Sequence, residues 1–221
     1  MIVGRTNMTE FAYSGLGINP HYGTPLNPYD RATGRIPGGS SSGAAVSVAD
    51  GMSVAAIGSD TGGSVRIPAA LCGLTGFKPS AWRVSMAGVL PLSANLDSIG
   101  PIAASVRCCA ELDAILSGDG GPVPEAMPLR GLRLAIPTTL ALDAMDKHVA
   151  ETFAATVSRL KDAGALVDEI AIPEFAELAA INAKGGFTAA EAWAWHRDLI
   201  ARAGKRYDPR RSISMKSKTR P

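Results

Sequence analysis

Two glycine-serine motifs lie close together and constrain this chain more than anything else in it. The first is Gly38-Gly39-Ser40-Ser41-Ser42-Gly43; the second is Asp60-Thr61-Gly62-Gly63-Ser64-Val65-Arg66. Between them run GAAVSVAD, small and apolar, which reads as a closely packed helix over 43–50, and SVAAIG, an apolar run suited to a buried strand over 53–58. Glycines ahead of a serine let backbone N–H groups approach a ligand without side-chain obstruction. Successive N–H groups at Thr61, Gly62, Gly63 and Ser64 would converge on one oxygen in the manner of an oxyanion hole. That makes Ser64 the best nucleophile candidate, in a site built to attack an acyl group.

A serine hydroxyl needs a base. The three histidines offer little: His21 falls in a Pro-Gly loop, and His148 and His196 fall on expected helices. Ser64 is not in a G-x-S-x-G elbow, so the α/β-hydrolase arrangement has no support. A second serine, one of Ser40 to Ser42, acting as proton shuttle with a neutral lysine behind it, is the alternative. Neither motif contains the G-K-[ST] of a phosphate-binding loop.

Around the motifs, helices and strands alternate. Residues 15–43 are dense in turn formers. A short helix is expected from Val65 to Leu71, with Pro68 in its first turn. Ala104 to Leu116 reads as a helix stopped by Gly118, and 118–128 as a Gly/Pro linker. Beyond it come a strand at Leu132 to Ile136, an amphipathic helix at Met145 to Ala163, a strand at Ala165 to Ile172, and a largely helical stretch from Phe175 to Ala203 broken at Gly185-Gly186. Such alternation predicts an α/β layered fold. Residues 211–221, polar and basic, are expected to be a disordered tail.

Composition narrows the partners. With 221 residues, 46% hydrophobic and 19% charged, and a formal net charge of +2, the chain has material for a sizeable core and no need of nucleic acid or an anionic membrane as partner. No signal peptide or membrane span is visible, which points to the cytoplasm. Cys72, Cys108 and Cys109 fit neither a disulfide framework nor a zinc site and read as small buried hydrophobes in a reducing compartment.

From Gly38 to Ser80 the sequence, GGSSSGAAVSVADG followed by GSDTGGSVRIPAALCGLTGFKPS, resembles the amidase signature family. NPHYGTPLNPYD before it and LDSIGPIAASV at 96–106 extend the resemblance, which is good over about 1–118 and looser to 210. It implies a layered fold with a central mixed sheet flanked by helices, incomplete in this chain, with 1–210 as a partial domain. It also implies a Ser–cisSer–Lys triad without metal or cofactor. Ser64 matches the nucleophile and Ser40 the bridging serine beside a cis peptide. The backbone of Thr61, Gly62, Gly63 and Ser64 matches the oxyanion hole. Gly38, Gly39, Asp60 and Arg66 match motif positions of structural character. The family's catalytic lysine lies upstream of the glycine-serine loop, whereas this chain has no lysine before Lys78, which matches a different, non-catalytic position. The chain therefore resembles an internal fragment.

The activity implied is hydrolysis of a small-molecule amide to the acid and ammonia or an amine through an acyl-enzyme on Ser64. A homodimer stays open. The alternatives are the glutaminase component of a glutamyl-tRNA amidotransferase, and an inactive remnant or binding module.

Overall fold

The computed structural model describes residues 1–210; the tail expected at 211–221 lies outside them. The chain divides into two compact units, one of Met1–Val123 together with the chain from Gly185 onward, the other Pro124–Lys184. The division falls within the expected Gly/Pro linker and at the Gly185-Gly186 break.

In the first unit the helix α1 (Ser42–Ala49) leads to β1 (Ala55–Asp60), the short helix α2 (Arg66–Leu71), β2 (Thr75–Gly76), β3 (Ser98–Ala103) and α3 (Val106–Ser117). The sheet order is β1-β3-β2, antiparallel throughout, with Ala55 opposite Ala103 and Asp60 opposite Ser98. α1 turns Ala44, Ala45, Val46 and Val48 inward. Its small side chains let it lie close to the sheet, where Ala44 and Ala45 join Val65, Ala69 and Ile102 in the core. Full burial of a side chain such as Ile102 is worth about 1.5–3 kcal/mol. Ser105 caps α3 by accepting from Cys108 N at 3.2 Å, and Gly118 ends it with φ 70°.

The sequence reading leaves β3 out because Gly100 and Pro101 break its pattern, yet it is the central strand. Both residues have local reasons. In an extended strand the N and C=O of one residue face the same neighbour; Pro101 O accepts from Phe77 N at 3.0 Å, so the donor that proline lacks falls on the short β2 side and not on the six-residue ladder with β1. A Cβ on Gly100 would stand 2.0 Å from Phe77 O. Gly100→Ala is therefore expected to cost about 3 kcal/mol, the upper end of overpacking penalties, read as a lower midpoint in urea unfolding; an unchanged midpoint would refute the clash.

The second unit pairs β4 (Arg133–Pro137) with β5 (Leu166–Ile170) in parallel, joined by the amphipathic helix α4 (Lys147–Asp162), and continues into the one-turn helix α5 (Leu178–Ile181). Parallel strands need such a crossover. Parallel and antiparallel pairing thus both occur, in separate sheets. Back in the first unit, α6 (Gly186–Ala203) follows Gly185 at φ 96° and buries Ala192 and Ile200 against Leu92 and Tyr207. Among the described residues no helix is long and apolar enough to cross a membrane.

Candidate active site

The two motifs meet where β1 ends. Asp60, the last residue of that strand, is fully buried, and its carboxylate organises the turn that follows. Oδ1 accepts from Gly63 N at 2.7 Å; Oδ2 accepts from Val65 N at 3.1 Å and Arg66 N at 3.3 Å. The Arg66 guanidinium closes the arrangement with Nε to Oδ2 at 3.0 Å and Nη2 to Oδ1 at 2.9 Å. Burial alone would raise the Asp60 pKa, but the guanidinium and the backbone donors outweigh it and hold the carboxyl below its ordinary range. Gly63 adopts φ 122°, where a side chain is strained, and a Cβ there would come 2.8 Å from Ile67 Cδ1. Asp60, Gly63 and Arg66 are in this way the frame that presents Ser64, which is 7% exposed.

This geometry sharpens the oxyanion-hole expectation. The N-terminal amides at the start of α2 donate to Asp60, so that carboxylate caps the helix's positive end. The Gly63 N–H is likewise committed to Asp60, which leaves the N–H groups of Thr61, Gly62 and Ser64 as the oxyanion candidates.

The first motif is clamped from behind by the chain's N-terminal segment. Gly39 N donates to Gly15 O at 2.8 Å, Thr9 N to Ser40 O at 3.0 Å, and Gly43 N to Asn7 O at 2.9 Å. A Cβ on Gly39 would sit 2.5 Å from Gly17 N, and one on Gly17 2.3 Å from Gly38 O, so two glycine backbones pass each other at closest approach. The Gly39–Ser40 peptide bond is cis. Ser41 N donates to Ser64 O at 3.3 Å and joins the motifs directly. Ser40 is fully buried, and its Oγ has no hydrogen-bond partner among the described residues.

A cleft of about 260 Å³ opens over this junction, lined on the motif side by Thr61, Gly62, Ser64 and Ile67. Segments with no motif signature make its remaining wall: Ala12 to Gly15, Leu92, Gly185 and Thr188. Among the described residues, no lysine, histidine or carboxylate lines it. His21 pairs with Glu10 at 3.2 Å, and the buried His196 meets Tyr207 Oη through Nδ1 at 3.1 Å. Lys78 Nζ donates to Pro79 O at 2.7 Å. The cysteines are free thiols, Cys109 buried and Cys72 and Cys108 half-buried; burial, helped by the charge of Asp50, pushes the Cys72 thiol up to about 11, away from reactivity.

The sequence profile of the Amidase family matches residues 1–210. The chain belongs to the amidase family. It is 39% identical over 211 residues to 2-amino-5-chloromuconic acid deaminase of Comamonas testosteroni, covering 95% of this chain and 46% of that relative. It is 42% identical over 186 residues to a glutamyl-tRNA(Gln) amidotransferase subunit of Deinococcus radiodurans, covering 79% of this chain and 38% of that relative. A solved amidase structure superposes with a TM-score of 0.87 at 33% identity, over 96% of this chain and 47% of the other. The corresponding glutamyl-tRNA(Gln) amidotransferase subunit of Thermotoga maritima does so at 0.78 and 32%, over 97% and 50%. This member of the amidase family thus spans about half the length, or less, of the relatives it matches.

Proposed function

We propose that this chain carries the nucleophile half of an amide-hydrolysing site, with Ser64 attacking the carbonyl carbon of a small-molecule amide. The observation that carries the reading is the junction itself: Ser64 lies on a cleft beside turn amides, and the buried Ser40 hydroxyl of the joined motif has no hydrogen-bond partner among the described residues. The Ser64 proton leaves through Ser40 as Oγ bonds to carbon. The amides of Thr61, Gly62 and Ser64 hold the oxyanion; as it collapses, the proton taken from Ser64 passes back through Ser40 to the leaving nitrogen, so that ammonia or an amine departs and an ester stays on Ser64. Water then cleaves that ester and releases the acid.

The final proton acceptor is the open place in this scheme. Residues 1–77 contain no lysine, and Lys78 is engaged with Pro79. The isolated 221-residue chain is accordingly expected to turn over simple amides far more slowly than a complete triad would, while Ser64 keeps its geometry. The cleft lining is uncharged among the described residues, which favours a small amide over glutamine, whose ammonium and carboxylate would need partners.

A fluorophosphonate probe tests the site. Labelling of the folded chain, mapped by peptide mass spectrometry to the peptide containing Ser64, is the expected result. A folded chain that takes no label, or takes it elsewhere, sinks the reading and favours a non-catalytic remnant. Ammonia release from glutamine above that from simple aliphatic amides would favour the glutaminase alternative.

A further inference from the structure

Thr61 and Leu92 both line the cleft, and one carboxylate ties them together. Asp97, 8% exposed, accepts from Thr61 Oγ1 through Oδ1 and from Leu92 N at 2.8 Å and Ser93 N at 3.0 Å through Oδ2. The same loop is held from α6 by Glu191, whose Oε2 accepts from Ser93 Oγ at 2.5 Å and from Asn95 N at 3.3 Å, and whose Oε1 accepts from Asn95 Nδ2. α6 also supplies Thr188 to the cleft. A continuous set of hydrogen bonds therefore runs from the turn beside Ser64, through Asp97, across the 92–95 loop, to the helix on the cleft's other margin.

We propose that Asp97 is a positioning residue that sets the width of the acyl site by holding the Thr61 turn and the Leu92 wall on the two oxygens of one carboxylate. A buried carboxylate that receives three donors has no slack: moving either partner costs a charge-assisted bond. Thr61 is fixed through its side chain, so its N–H and that of Gly62 stay uncommitted as oxyanion candidates. Leu92 is fixed through its backbone, which leaves its apolar side chain to form the wall. Glu191 keeps the loop from swinging away with Asp97 still attached. The width function rests on the reading of the cleft as an acyl site; the tie between turn and loop does not.

The test uses the full chain, with amide hydrogen exchange resolved by residue and the fluorophosphonate labelling rate at Ser64 measured side by side. In Thr61→Val, which puts a methyl in place of the hydroxyl, exchange at Gly63, whose N–H is bonded to Asp60 in the same turn, is expected to rise at least about threefold while Leu92 and Ser93 stay protected, because local opening follows the bonds that are lost. In Asp97→Asn the amide oxygen still accepts from Leu92 and Ser93, so their protection is retained, while Thr61 loses its charged acceptor, Gly63 in the turn exchanges faster and labelling slows about tenfold. Asp97→Ala is expected to free both sides. A residue that merely stabilised the fold would change exchange evenly across the unit, including α1; that outcome, or unchanged exchange at Gly63 in both Thr61→Val and Asp97→Asn, overturns the proposal. A parent chain that never takes the label fails the Ser64 reading and with it the width function, while the exchange pattern still decides the tie.

Discussion

Ser40→Ala is expected to leave the chain as stable as before, or about 1 kcal/mol more stable, while slowing phosphonylation of Ser64 by about 100-fold or more. The two halves of that result come from one observation, a fully buried hydroxyl with no partner among the described residues. A buried, unsatisfied hydroxyl costs about 1–3 kcal/mol, part of which is returned when the oxygen is removed and part offset by the small void left behind. The group is thus a burden on the fold, in the way of residues kept for activity rather than stability. Its loss removes the relay for the Ser64 proton, and general acid–base steps of this kind carry about 10²–10⁴ in rate. Urea unfolding and labelling kinetics on the same preparation decide it. A stability loss above about 1 kcal/mol with an unaltered labelling rate would make Ser40 a structural residue.

Asp60→Ala works in the opposite sense, costing about 3–5 kcal/mol and abolishing labelling together with cooperative unfolding of the first unit. Arg66 contributes little to that figure, because its side chain is 52% exposed and rehydrates once unpaired. The cost lies with Gly63 and Val65, whose buried N–H groups lose their acceptor in a turn too tight to admit another. The same carboxylate gives a pH signature. Its pKa is lower in the folded chain than in the unfolded one, so below about pH 4 the unfolded chain binds more protons and stability falls as the pH drops further. Above that range the contribution is fully present. Asp60→Asn should flatten this acid limb; if the pH profile of unfolding is the same in both proteins, another carboxylate is responsible.

What could be read from the sequence was local. Ser40, Ser64, Asp60 and Arg66 stand out because their chemistry is packed into short glycine-rich runs, and α1, β1 and α3 follow from apolar periodicity and stop signals. β3 escaped because proline and glycine look like loop, and only the tertiary partner, Phe77 O, explains why Gly100 must be bare. The cleft wall escaped for another reason. Leu92 and Thr188 reach it from far along the chain, and the buried Asp97 carboxylate that holds Leu92 through its backbone leaves no periodic trace. Asp97 does sit in the LDSIGPIAASV segment, where an acidic residue just ahead of an apolar run was the only available hint.

The first unit is discontinuous: Met1–Val123 is completed by the chain from Gly185 onward, after a separate unit of Pro124–Lys184. During synthesis, then, both serine motifs leave the ribosome long before Glu191 exists to secure the 92–95 loop. A nascent chain halted anywhere in the inserted unit would have its nucleophile turn in place and one side of its cleft untethered. Order of emergence would leave the cleft wall incomplete until α6 arrives.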